Sequence, residues 1–176
     1  MDGSLPGVIE FVRAHQAWAA PVVFLLAFAE SLAFVSLLVP AWGALVAIGA
    51  LVGASGIGLW EIWLAGALGA ALGDWVSYSI GYRYKDQVRR IWPLSRYPDL
   101  LARGEAFVTK WGVPSVMIGR FSGPLRASVP LVAGICEMAY IPFQLANFGS
   151  ALVWSAALLL FGDGLGLTAL WMLRPT

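Results

Sequence analysis

Two arginines, Arg120 and Arg126, stand inside an otherwise apolar stretch, 113–136, which reads Val-Pro-Ser-Val-Met-Ile-Gly-Arg-Phe-Ser-Gly-Pro-Leu-Arg-Ala-Ser-Val-Pro-Leu-Val-Ala-Gly-Ile-Cys. A charge at the centre of a bilayer costs at least about 2.5 kcal/mol, so an ionisable residue at that depth marks a functional site by default. The two lie six residues apart and are bracketed by Gly123, Pro124 and Pro130. Such a pattern predicts a broken helix that holds something negative.

The rest of the chain agrees with a membrane setting. Of 176 residues, 60% are hydrophobic and only 12% charged, against about 25% charged in soluble domains; the mean hydropathy is +0.78. The fold class expected is an all-α integral membrane protein, a polytopic helical bundle forming a single domain over 1–176. Net charge is +1, which gives no leaning toward nucleic acid. Seven of the eleven basic residues (Arg83, Lys85, Arg89, Arg90, Arg96, Arg103 and Lys110) fall in one polar segment, 83–110. The positive-inside tendency assigns this basic loop to the cytoplasm. It lacks the interleaved aromatics and fold signature of an RNA-binding surface.

Several chemistries are disfavoured. Cys136 is the only cysteine and His15 the only histidine, and no His/Asp/Glu group has metal-ligand spacing; neither a metal nor any other cofactor is expected. No nucleophile–base pair is evident, so an enzyme is the least favoured class. The first twenty residues lack the basic-then-apolar pattern of a cleaved signal peptide, and residues 1–18 hold a weak interfacial pattern. The C-terminal Arg174-Pro175-Thr176 leads to the expectation that no soluble domain follows.

Along the chain, 21–59 is long enough for two spans at about twenty residues each, interrupted by Glu30 and by Pro40-Ala41-Trp42-Gly43. Trp60 and Trp63 flank Glu61 as interface anchors. The cleanest span is 62–82, where Gly66, Gly69, Gly73, Ser77 and Gly81 allow close helix approach and Asp74 lies beside Trp75. An amphipathic helix is expected over 100–111. After the break at Glu137-Met138-Ala139-Tyr140 comes a span at 141–161 with Asn147, then a second interruption at Gly162-Asp163-Gly164. Segment 165–173 either continues that helix past a kink or lies at the interface. Paired hydrophobic segments broken by proline and glycine, here at Pro40 and Gly43 and again at Gly123, Pro124 and Pro130, point to a transporter with inverted repeats and a site near the midplane.

The chemistry falls on few residues. A guanidinium stays protonated and presents a planar fork of donors matched to phosphate oxygens, which makes Arg120 and Arg126 the candidate substrate ligands. Glu30 and Asp74 are the intramembrane acids available as counter-ions or proton-coupling groups. A permanent Arg–carboxylate pair that only fixes packing is the alternative for each. Asn147 is read as a helix–helix hydrogen-bonding residue with substrate contact as the second reading. The nine tryptophans read mostly as interfacial anchors.

These residues resemble the DedA family of bacterial inner-membrane proteins, which carry the VTT (SNARE-associated) domain. The resemblance rests on Gly119-Arg120-Phe121-Ser122-Gly123-Pro124-Leu125-Arg126 through Pro130 and Ala133-Gly134, then Met138, Phe143, Asn147, Gly149 and Trp154. A second block is Gly69-Ala70-Ala71-Leu72-Gly73-Asp74 with Tyr78 and Gly81, and a third is Glu30 with Pro40 ten residues on. It implies a bundle with two re-entrant hairpins meeting at the midplane, located in the inner membrane. It further implies movement of lipids between leaflets (undecaprenyl phosphate or phosphatidylethanolamine) linked to protons. By motif position the family's essential arginines fall on Arg120 and Arg126, and its first membrane acid on Glu30. Two departures are visible: Trp42 stands where the family's second hairpin acid is usual, and Gly123 precedes Pro124 where a proline is usual. The first bears on proton coupling and does not touch the anion site. A small-solute or ion transporter and a non-transporting membrane organiser are the other readings that the residues allow.

Overall fold

The computed structural model describes residues 14–32, 42–55, 58–90, 98–122, 126 and 128–172. Among them lie seven helices: α1 (Gln16–Ser31), α2 (Trp42–Ser55), α3 (Leu59–Arg90), α4 (Pro98–Trp111), α5 (Pro114–Phe121), α6 (Ser128–Ile135) and α7 (Tyr140–Met172). The all-helical expectation holds.

Two long helices, α3 and α7, form the axis, each near 50 Å at about 1.5 Å per residue. One stretch among the described residues is long and apolar enough to cross a membrane, Tyr140–Gly164 within α7. The expected cleanest span, 62–82, is helical, but Asp74 and its run of glycine and serine lower its apolarity. The feature that reduces its hydropathy is the one that lets neighbours approach. Gly69 and Gly73 face the carbonyls of Phe24 and Phe28, leaving no room for a Cβ, so α1 lies backbone to backbone on α3.

Close approach recurs at the other end of α3 and on α7. A Cβ on Gly81 meets the carbonyl of Leu131, and one on Gly134 meets that of Tyr78, which presses α6 onto α3. In the same manner Gly162 faces the carbonyl of Val46 and Gly49 that of Leu159, which presses α2 onto α7. In each pair the carbonyl comes from the residue three positions before the partner's glycine.

Three sequence expectations need correction. Gly162-Asp163-Gly164 does not interrupt a helix, because α7 runs through it to Met172. Gly162 serves contact with α2, and 165–172 continue the same helix. The basic segment is not a loop throughout: α3 extends to Arg90 with a bend at Tyr84 (φ −116°, ψ 19°), and α4 occupies most of the remainder. Pro130 does not break the arginine segment. It lies in the first turn of α6, where its missing N–H leaves no intrahelical bond unmade. Pro40, Gly123 and Pro124 lie outside the described residues, and Gly43 is the second residue of α2.

The turn from α6 to α7 closes as a Schellman motif, with Met138 N–H on the Ala133 carbonyl and Glu137 N–H on that of Gly134, each at 3.0 Å. Glu137 occupies the left-handed position at φ 55°, which glycine usually takes.

Two apolar clusters flank a polar layer. One gathers Tyr78, Val88, Val108, Val116, Leu131, Val132 and Phe143; the other gathers Val23, Ala27, Leu45, Ile62, Ala71, Trp154 and Leu159. The amphipathic α4 buries Leu101 and Val108 in the first cluster, with Phe107 packed against it, so its apolar face meets protein. Asp74 falls between Ala71 and Tyr78 on α3, and Asn147 falls between Phe143 and Ala151 on α7. The polar residues therefore sit where the clusters meet.

Candidate functional site

Both arginines are buried in this layer, Arg120 at 3% and Arg126 at 9% exposure. Arg120 comes from the end of one short helix and Arg126 from the turn between it and the next. Helices α5 and α6 have eight residues each, about 12 Å apiece, so neither alone crosses a bilayer. Arg120 is the next-to-last residue of α5, and Arg126 lies between the two helices. Pro114 starts α5, and Ser122 ends it with its N–H on the Gly119 carbonyl at 3.0 Å. The broken segment thus delivers two guanidinium groups to one depth.

Arg120 is held from three directions. Its Nη2 pairs with Asp74 Oδ2 of α3 and donates to Asn147 of α7, at 2.6 Å to Oδ1 and 3.3 Å to the carbonyl. Its Nε donates to Ser150 Oγ at 2.9 Å. Asn147 in turn donates Nδ2 to the Ala71 carbonyl at 2.9 Å. Asn147 thus makes the helix–helix hydrogen bond expected of it, tying α7 to α3, and it also holds an arginine.

Arg126 is held more sparsely. Nη1 pairs with Glu30 Oε1 at 2.5 Å, and Nη2 reaches Ser31 Oγ at 3.3 Å. Its guanidinium lies over the Trp154 ring, 3.9 Å from the centroid, a cation–π contact strengthened by burial. Glu30 is the penultimate residue of α1, and Ser31 is fixed where Ser77 Oγ donates to its carbonyl at 3.2 Å.

Each ion pair is a one-point contact. Among the described residues, Arg120 Nη1 and Arg126 Nε are buried without a hydrogen-bond partner, and so are Asp74 Oδ1 and Glu30 Oε2. Buried charged hydrogen-bonding groups normally find partners for all their donors. Two donors and two acceptors left over at one depth form a site with capacity in reserve.

All five residues singled out for chemistry are brought together: Arg120, Arg126, Glu30, Asp74 and Asn147. Ser31, Ser150 and Trp154 also belong to the site and were not singled out. For Ser150 and Trp154 the signal lies in α7 spacing, since 147, 150 and 154 share one helix face. Trp63, expected as an interface anchor, donates its indole N–H to the Leu152 carbonyl at 2.9 Å, and Ser155 Oγ donates to the Trp63 carbonyl at 3.0 Å. It ties α3 to α7 at the edge of the second cluster.

The VTT domain matches residues 39–164, a stretch that includes both arginines, Asp74, Asn147 and Trp154. The chain belongs to the VTT-domain (DedA) family of membrane proteins. Inner membrane protein YabI of Escherichia coli (strain K12) is 34% identical over 144 residues, covering 82% of this chain and 57% of that protein. Uncharacterized membrane protein BU139 of Buchnera aphidicola subsp. Acyrthosiphon pisum (strain APS) is 29% identical over 144 residues, with 82% and 56% covered. Inner membrane protein YqjA of Escherichia coli (strain K12) is 30% identical over 154 residues, with 86% and 69% covered. The chain therefore spans little more than half the length of the first two relatives. No solved structure matches it.

Proposed function

We propose that this VTT-domain protein moves a phosphate-bearing lipid between the leaflets of the bacterial inner membrane, with Arg120 and Arg126 as the anion ligands. The observation that carries the reading is the pair of one-point ion contacts, each leaving a buried guanidinium donor unused. A phosphate group has acceptor oxygens enough to engage both spare donors. Glu30 and Asp74 then act as resident counter-ions that hold the arginines between substrates. Protonating Glu30 removes its claim on Arg126 and gives a route for proton linkage. Asn147 keeps Arg120 placed while this happens.

The architecture supports the transport class over an enzyme. The reciprocal glycine contacts, α6 on α3 and α2 on α7, fit a pseudo-inverted repeat in which α1, α2 and α3 correspond to α5, α6 and α7. Glu30 and Arg120 then hold equivalent positions, each one residue from the end of its helix. In this reading 21–59 and 113–136 are re-entrant hairpins, and 83–110 faces the cytoplasm. Irregular backbone at such depth is tolerated where it is buried in protein or lines a cavity. Undecaprenyl phosphate and phosphatidylethanolamine are the lipids that the family resemblance favours.

The test is translocation of each lipid in proteoliposomes, with and without a pH gradient. The wild type is expected to move one of them, Arg120→Ala and Arg126→Ala to lose most of the rate, and Glu30→Gln to lose the response to the gradient. A wild type that moves neither lipid under either condition overturns the reading.

A further inference from the structure

A second polar site lies about two helical turns outside the arginine layer. A cavity of about 520 Å³ opens where α3 meets the α6–α7 turn, lined by Tyr78, Tyr82, Arg83, Glu137 and Tyr140 among others. Its place along the chain is the edge of the apolar zone. The apolar stretch of α7 begins at Tyr140, and the basic segment begins at Arg83.

The cavity and the arginine site share two helices. On α3, Asp74, Tyr78 and Tyr82 follow at intervals of four, so the cavity is about 12 Å from the Asp74 level. On α7, Phe143 stands four residues before Asn147. Between the levels, Tyr78 stacks on Phe143 with ring centroids 4.1 Å apart, and its hydroxyl donates to the Met138 carbonyl at 2.6 Å. Tyr78 lines the cavity, and the buried Phe143 stacked on it lies one turn before Asn147 along α7.

The walls have a consistent chemistry. Lys85 pairs with Glu137 and lies over the Tyr82 ring, 5.4 Å from its centroid, so the acid on this wall is neutralised by a cation already present. Arg83 is exposed and makes no hydrogen bond or ion pair with any described residue. The first turn of α7 adds the positive end of a long helix. Glu137 holds a left-handed backbone (φ 55°) that costs energy for a residue with a side chain, and the Lys85 pair secures that shape.

We propose that this cavity is a headgroup vestibule: Arg83, with the hydroxyls of Tyr82 and Tyr140, holds the phosphate of a membrane lipid before it passes the Tyr78–Phe143 stack to reach Arg120. The inference rests on the transport reading for its purpose and on the cavity for its chemistry. Tyrosine suits the position because its ring lies among apolar neighbours while its hydroxyl reaches the wet headgroup level.

The test places the reporter inside the cavity. Ser79 lines it, so Ser79→Cys in a Cys136→Ala background is labelled with a water-soluble maleimide on the purified full chain. Dihexanoyl phosphatidate is the probe, with inorganic phosphate at equal concentration as the second arm. Phosphatidate is expected to slow labelling at least fivefold, Arg83→Gln to abolish that protection, and Arg103→Gln, the same charge change on α4, to leave it intact. Protection that survives Arg83→Gln, protection lost equally in Arg103→Gln, or inorganic phosphate protecting as well as the lipid each overturns the proposal. Labelling is read without flux. A wild type that translocates nothing yet shows Arg83-dependent protection defeats transport and keeps the headgroup site; absent protection with translocation intact does the reverse.

Discussion

The guanidinium of Arg126 lies 3.9 Å from the centre of the Trp154 ring while its Nη1 is paired with Glu30. One arginine thereby joins α7 to α1 through two unlike interactions, a ring face and a carboxylate. The ring is the part that a lipid phosphate does not compete for. On the proposed transport reading, Arg126 exchanges its anion and keeps its aromatic support.

Trp154 therefore supports both packing and charge. Trp154→Ala is expected to cost about 3–5 kcal/mol as a large buried truncation, seen as a lower melting midpoint in detergent. Trp154→Phe keeps a ring under the cation and should recover most of that loss. Equal destabilisation by the two variants would show that the ring face contributes nothing specific.

Arg120 and Asp74 should behave as a coupled pair. Removing one partner leaves an uncompensated buried charge, which costs about 3–5 kcal/mol. Arg120→Met and Asp74→Leu are each expected to destabilise by roughly that amount, and the double variant by clearly less than either. Strictly additive losses, measured by thermal unfolding, would mean that the two residues do not share their partners.

Glycine contacts give the sharpest contrast. Gly81→Ala and Gly134→Ala each put a methyl group against a carbonyl of the facing helix, and neither is expected to yield folded protein in the membrane fraction. Gly149 has open space around its Cβ position. Gly149→Ala should be neutral or more stable by up to about 1 kcal/mol, the helix-propensity gain. Comparable expression of all three would refute backbone contact at α3 and α6.

At the α6–α7 turn, Glu137→Gly relieves the left-handed strain, roughly 1 kcal/mol, and gives up an exposed pair with Lys85 worth about 0–1 kcal/mol. The variant is expected to match or slightly exceed the wild type in stability, whereas Glu137→Val should lose about 1–2 kcal/mol because a branched side chain tolerates that backbone poorly. A Gly variant less stable than the Val variant would place Glu137 outside the left-handed region.

Much of this site was readable from the chain because charges among apolar residues leave few assignments open. Arg120, Arg126, Glu30 and Asp74 were all visible as ions among apolar residues. Which acid serves which arginine was not visible. The partners are 46 and 96 residues apart, and only helix packing decides between them. Ser31, Ser150 and Trp154 escaped for a related reason: small and aromatic residues in a span have an ordinary role in packing or anchoring. Gly162 misled, because a glycine that admits a neighbouring backbone looks in sequence like one that ends a helix.

The glycine contacts also limit how the bundle can move. Helices joined backbone to backbone travel together, so α3 goes with α6 and with α1, while α2 goes with α7. That leaves one plane of slip, and both guanidiniums straddle it: Arg120 reaches from Asp74 to Asn147 and Ser150, and Arg126 from Glu30 to Trp154. Any sliding along this plane strains the bonds that cargo would compete for. On the transport reading the latch and the cradle share atoms: a bound anion that loosens one side of an arginine removes part of what joins the two bodies, and the Asn147–Ala71 and Trp63–Leu152 hydrogen bonds across the same plane still hold them.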